Sequence, residues 1–225
     1  MSDSNGTPPL PLEHAVIEPR EPVEGRSPSV VILHGRGADE TDLLPVVQQL
    51  PDALFVVSLR APERLHSGFT WYDLVLPGGD VHRSQPDSED LDRSLDLVDE
   101  SIERAIETYD LDPDRVGILG FSQGAVLGIS RLLDRPDAVA WLAALHGYLP
   151  EAYADSAPEG VQRTPVFIGA GVNDRVIPPG RAENAAIRLS ELGCAVTART
   201  YDVGHGIGPE EMADLVSWVD GTVDP

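Results

Sequence analysis

Along the chain, short runs of consecutive apolar residues alternate with longer stretches in which apolar residues recur every three or four positions. Val30-Val31-Ile32-Leu33, Ala53 to Val57, Val116-Gly117-Ile118-Leu119, Trp141 to Leu145, Val166-Phe167-Ile168 and Ala195 to Tyr201 are of the first kind. Brief runs of β-branched and aliphatic residues predict strands buried on both faces. His14 to Ile17 is expected to form an edge strand. The second kind is clearest from Ser88 to Tyr109, where Leu91, Leu95, Val98, Ile102, Ala105 or Ile106, and Tyr109 make one stripe. That period predicts a helix. Its opposite face carries Asp92, Asp96, Asp99, Glu100, Glu103 and Glu107 and is expected to be solvated; Asp112-Pro113 closes the segment. Further helices are expected over Ser122 to Leu133, Arg181 to Leu192 and Pro209 to Val219. The last begins with Pro209 in its first turn and Glu210 and Glu211 at the positive end of its dipole.

Continuously apolar strands alternating with helices imply an α/β fold, a mostly parallel sheet with helices on both faces. No repeat and no dividing linker is visible, so residues 1–225 are expected to form one domain. Residues 1–11 and Glu18 to Ser29, rich in Pro, Ser and Glu, read as a loose N-terminal segment and a surface loop.

Composition changes this picture in one respect. The 38 acidic residues face 16 basic ones, all arginine, for a formal charge of −22. Such self-repulsion is relieved when salt screens it, which points to a salt-rich cytosol such as that of an extreme halophile. The same charge argues against binding nucleic acid or anionic lipid, both of which need basic patches. The first residues carry no basic start or apolar run, and no window approaches a membrane span, so a cytoplasmic protein without stable membrane association is expected. The single cysteine, Cys194, reads as a buried or inert thiol.

The candidate chemistry lies in Gly120-Phe121-Ser122-Gln123-Gly124, a GxSxG motif between a predicted strand and a predicted helix. A sharp strand-to-helix turn lifts a serine hydroxyl into an exposed corner. The hydroxyl becomes a nucleophile when a histidine takes its proton and a carboxylate steadies that histidine. The order required is serine, acid, histidine. His205, in the glycine-flanked loop Val203-Gly204-His205-Gly206, suits the base better than His146, which reads as a structural or pocket-wall residue. Asp174 is the best acid, because its loop leaves the strand Val166 to Ile168 and such loops build sites in parallel sheets. Arg175 beside it offers the alternative of a purely structural salt bridge. Asp155, Glu159 and Asp202 are weaker competitors. The amide of Gln123 is placed to bind an oxyanion, and Leu33-His34-Gly35-Arg36-Gly37-Ala38-Asp39 is a candidate for the second donor, with His34 shaping the loop. No zinc-type ligand spacing and no phosphate-cradling GxxxxGK element is present, so neither a metal nor an organic cofactor is expected.

LHGRGAD at 33–39, WYD at 71–73, GFSQG at 120–124, GVNDRVIP at 171–178 and YDVGHGIGPEEMADLVSWV at 201–219 resemble, in order, the phospholipase and carboxylesterase family of α/β-hydrolases, which includes the acyl-protein thioesterases. The resemblance implies an α/β-hydrolase fold with Ser122, Asp174 and His205 as nucleophile, acid and base. It also implies an oxyanion hole from the amides of Arg36 and Gln123, Trp71 beside the acyl site, and Val176 against substrate. Arg36 stands where relatives often carry leucine. The expected substrate is a small-molecule ester of short to medium acyl chain, cleaved in an open cleft without a large lid. A thioester, lysophospholipid or peptide bond, or a non-catalytic binding module on the same fold, are the alternatives. An intact triad disfavours the last.

Overall fold

Side chains that alternate across a strand give a sheet two faces, and here both must be covered, because the strand runs are apolar throughout. The computed structural model describes residues 10–223 apart from Pro22 and Ser67. It opens with β1 (His14–Ile17) and β2 (Ser27–Leu33), followed by a one-turn helix α1 (Leu44–Val47) and β3 (Phe55–Leu59). Two small hairpins follow, β4 (Glu63–Leu65) with β5 (Gly68–Thr70), and β6 (Leu74–Val75) with β7 (Gln85–Pro86). The long helix α2 (Ser88–Tyr109) then leads to β8 (Leu111–Phe121), α3 (Gln123–Asp134), β9 (Trp141–Leu145), β10 (Pro165–Gly171), α4 (Pro179–Glu191), β11 (Ala195–Tyr201) and α5 (Pro209–Val223).

Seven strands form one sheet in the order β1-β3-β2-β8-β9-β10-β11. All neighbours in it are parallel except the edge pair β1–β3. Val31 and Leu33 of β2 face a layer made by α2, α3 and α4, whereas Val30 and Ile32 face α1 and α5. Leu142 and Ala144 of β9 join the first layer, and Trp141, Ala143 and Leu145 the second. Each fully buried Leu, Ile or Val contributes about 1.5–3 kcal/mol, so the two apolar layers hold the sheet.

Local signals account for most element boundaries. The Asp87 carboxylate caps α2, accepting from the amides of Glu89 and Asp90 at 3.1 and 3.2 Å. Asp110, in the left-handed conformation, ends that helix ahead of Asp112-Pro113, and these two residues belong to β8.

Three expectations need correction. The acidic face of α2 is not wholly solvated: Asp99 is buried and ion-paired with the equally buried Arg131 of α3, with Arg135 3.0 Å away. The close approach of α3 turns that side of α2 inward, which helical period alone does not reveal. Leu10, placed in the loose N-terminal segment, is buried in the first layer beside Leu12, while residues 1–9 lie outside the described residues. The expected surface loop Glu18 to Ser29 ends early, because Ser27 already begins β2 and Ser29 is buried; the two hairpins and α1 have runs too short for a periodic signal. Among the described residues no helix is long and apolar enough to cross a membrane.

From β2 the chain passes to β3 on one side, and β8 then lies on the other, so the loops at the carboxyl ends of β2 and β8 diverge. That divergence opens a crevice, the usual place for a site in such sheets. Ser122 follows β8, His146 follows β9, Asp174 follows β10 and His205 follows β11.

Candidate active site

Ser122 sits between β8 and α3 with φ of 55° and ψ of −114°, a conformation rare for any residue but glycine. Its amide is held by the carbonyl of Leu145 at 2.8 Å. The flanking glycines allow this turn. A Cβ on Gly124 would stand 2.0 Å from the Leu33 carbonyl oxygen, and one on Gly120 2.3 Å from that of Gly124. The first and last positions of the motif therefore tuck α3 against β2 and leave the serine at the corner.

The hydroxyl of Ser122 lies 2.8 Å from Nε2 of His205, and Nδ1 of His205 lies 2.6 Å from Oδ2 of Asp174. Facing a carboxylate, Nδ1 carries the proton, which leaves Nε2 as an acceptor for the hydroxyl. Asp174 receives two more bonds on Oδ1, from the amides of Val176 and Ile177 at 2.8 and 2.9 Å. Burial works to raise its pKa, but the hydrogen bonds from His205, Ile177, His146 and Val176 outweigh burial and hold it below the ordinary carboxylate value. Arg175 is exposed, and among the described residues the partners of Asp174 are imidazoles and amides, with no arginine. Asp155 and Glu159 are exposed; Asp202 accepts from the side-chain Nδ2 of Asn173 at 2.7 Å.

Gln123 begins α3, so its amide has no partner within the helix. The Arg36 amide likewise makes no backbone bond among the described residues. The Gln123 side chain has a further task that the motif did not announce. Its Oε1 accepts from the Trp71 amide at 2.9 Å and its Nε2 donates to the Tyr72 carbonyl at 2.6 Å, pinning the 70–72 segment beneath the site. His34 holds its loop: Nε2 accepts from the Ala61 amide at 3.0 Å, leaving Nδ1–H to donate to the Gly35 carbonyl at 2.7 Å. Burial lowers its pKa, with the Gly35 bond acting in opposition, and the ring is neutral.

A cavity of ≈ 760 Å³ opens over Ser122 and His205. Tyr72, Val126, Tyr148 and Ile177 contribute to its wall, and exposed Leu74, Leu76, Val81 and Val176 to its rim, with Arg36 and Arg175 beside them. Trp71, expected beside the acyl site, is fully buried behind it and donates its indole N–H to the His34 carbonyl at 2.9 Å. Tyr72, its neighbour in WYD, takes the wall position. Arg181 lies over the Tyr148 ring and donates to the Ser84 carbonyl at 2.7 Å, bracing that wall.

His146 does not line the cavity. Its ring is buried, with Nδ1 3.1 Å from Oδ2 of Asp174 and Nε2 3.1 Å from Oε2 of the buried Glu211. Glu211 is expected from sequence only to favour its helix dipole; nothing in its spacing from His146, sixty-five residues away, announces a partner. His146, Asp174 and His205 offer ligand atoms within 4.8 Å of one another, but these atoms already face each other in N–H···O bonds, and we assign no metal to them.

The model of the Phospholipase/Carboxylesterase family matches residues 12–222. The chain is 30% identical to an Oryza sativa subsp. japonica protein named "Probable inactive carboxylesterase", over 89% of this chain and 88% of that one. It is 26% identical to acyl-protein thioesterase 1 of Saccharomyces cerevisiae over 85% of this chain and 91% of the relative. Among solved structures, a Bacillus cereus carboxylesterase superposes with a TM-score of 0.83 at 23% identity, covering 94% of this chain and 95% of the other, a likeness of fold. A Mesorhizobium loti carboxylesterase superposes with a TM-score of 0.77 at 26% identity, covering 88% and 90%.

Proposed function

The chain belongs to the phospholipase/carboxylesterase family and is a carboxylesterase-type serine hydrolase of the α/β-hydrolase fold; from that premise we propose that it cleaves small-molecule carboxylic esters through Ser122, His205 and Asp174. The observation that carries this reading is the unbroken chain of bonds from the Ser122 hydroxyl through His205 to Asp174 at the base of the cavity. A relative named as inactive shows that membership alone does not secure turnover, so the intact chain of groups matters.

In the proposed cycle the Ser122 oxygen attacks the ester carbonyl and its proton passes to Nε2 of His205. The amides of Arg36 and Gln123 receive the oxyanion. The C–O bond to the alcohol breaks, and the alcohol leaves with the proton from His205. Water then attacks the acyl-enzyme, gives its proton to His205, and the acid departs as Ser122 is restored. Asp174, already ionised and saturated with donors, steadies the imidazolium in both halves. Val176 and the aliphatic rim contact the acyl chain. Polar groups of Ser84 and Tyr148 share the cavity wall, which favours a short to medium chain over a long one. No membrane or nucleic acid partner enters this scheme, and the cytoplasm remains the proposed compartment.

Ser122→Ala is expected to lower kcat by about 10⁴-fold or more without unfolding the protein, and to abolish labelling by a fluorophosphonate probe. Retained esterase activity in that variant overturns the assignment. A panel of p-nitrophenyl esters of rising length, with matched thioesters, tests the substrate. A maximum at long chains or on thioesters would replace the short-chain ester reading.

A further inference from the structure

His146 and Glu211 take no step in the acyl transfer above, yet both are buried and aimed at its acid. The side chains of His146 and Glu211 are 0% exposed and that of Asp174 1%. His146 leaves β9 with φ of 53°, its amide donating to the Gly169 carbonyl at 2.8 Å. Gly169 also makes room for Glu211, since a Cβ there would stand 2.1 Å from Oε1 of Glu211. The cluster thus depends on a residue without a side chain in the middle of a buried strand.

Two carboxylates bracket one imidazole from its opposite nitrogens. A ring with one proton would turn a lone pair toward one of them; a ring with two protons satisfies both. Facing the ring are Glu211 from α5, Asp174 from the loop after β10, and His205 from the loop after β11, with the two imidazoles 5.6 Å apart and nearly perpendicular. Phe121 of β8 presents only its ring, at 5.4 Å. Beyond Glu211 lies Tyr201 of β11, whose hydroxyl donates to Asp214 at 2.9 Å.

Resting on the triad reading above, we infer that His146 is a positioning residue, a buried imidazolium paired with Glu211, that grips Asp174 through a second N–H and tempers its pull on His205. Burial disfavours the charged ring, but the hydrogen bonds and charges of Glu211 and then Asp174 outweigh it, and the pKa of His146 is raised. A cation beside Asp174 opposes a second cation on His205. The charge on His146 thereby bears on the pH range over which the Ser122–His205 pair works. The protons of His146 stay in place through the cycle.

The test is kcat/KM against pH on a short p-nitrophenyl ester. His146→Gln keeps an amide donor but removes the charge; the acidic limb is expected to move up by about one pH unit, with plateau kcat lowered about tenfold. Glu211→Gln removes the same pair of charges, since each of these buried groups loses its charge when the other is replaced, and its limb is expected to move in the same direction. An unmoved limb in folded His146→Gln overturns the proposal. A substrate-free readout separates this from the esterase reading: the ¹H NMR spectrum of the wild-type protein. Two exchange-protected His146 ring N–H signals at neutral pH are expected, whether or not esters are cleaved. A single one overturns the charged ring.

Discussion

Of the carboxylates withdrawn from water, Asp99 between α2 and α3 and Asp174 after β10 are treated in opposite ways. Their exposures are similar, 4% and 7%. Asp99 has its pKa raised, because burial outweighs the attraction of Arg131 and Arg135, and burial lowers the pKa of Arg131 in turn. Asp174 has its pKa lowered despite burial. The difference lies in the partners. Asp99 is met by guanidinium groups, one of them buried with it, so the pair pays desolvation twice. Asp174 is met by four N–H donors, two of them backbone amides that carry no net charge to desolvate. Backbone amides that stabilise a carboxylate without being charged themselves lower its pKa at less desolvation cost than a buried guanidinium does. The Asp99–Arg131 pair instead ties α3 to α2.

The sharpest way to break this comparison is to neutralise each acid in turn. Asp174→Asn is expected to lower kcat by about 10⁴-fold, because the amide no longer fixes the His205 tautomer, whereas Asp99→Asn leaves kcat within about twofold. Similar losses in both variants would mean that Asp99 also supports the site. On stability the ranking reverses. Arg131→Met alone strands a buried charge and is expected to cost about 3–5 kcal/mol in denaturant unfolding, while adding Asp99→Leu recovers most of it. A double variant as unstable as the single one would show that the pair is favourable in itself. The smallest effect belongs to the exposed charges. A net charge of −22 lies mainly outside these two clusters, so raising NaCl from about 0.1 M to about 2 M should increase Tm by several degrees. A Tm that stays level or falls removes the case for a salt-rich habitat.

These contrasts also mark where the chain could be read directly. The period of α2 and the apolar runs of β2, β8, β9 and β10 each carry their signal in contiguous residues, so element type and layer order follow from local pattern. Ser122 belongs with them, since strand, glycines, serine and helix are neighbours in sequence. Asp174 and His205 were reachable because their loops follow strands, and motif resemblance narrowed the choice. Asp99 was misjudged for the opposite reason: its burial is decided by Arg131, thirty-two positions on, as α3 crosses α2. Tyr72 stands where Trp71 was expected, because alternation along an irregular segment, not residue type, decides which ring faces the cavity.

By itself, then, the sequence determined the α/β layering, the corner that holds Ser122 and the loops in which Asp174 and His205 stand, because each depends on residues close along the chain. Only the tertiary structure decided that His146 and Glu211 meet behind Asp174 and that the Gln123 side chain fastens the 70–72 segment. It alone decided that one buried acid is met by imidazole and amide N–H groups and the other by guanidinium groups. Those outcomes depend on desolvation and on the convergence of groups from separate strands and helices, and neither quantity exists until the sheet has brought the ends of β8, β9, β10 and β11 together.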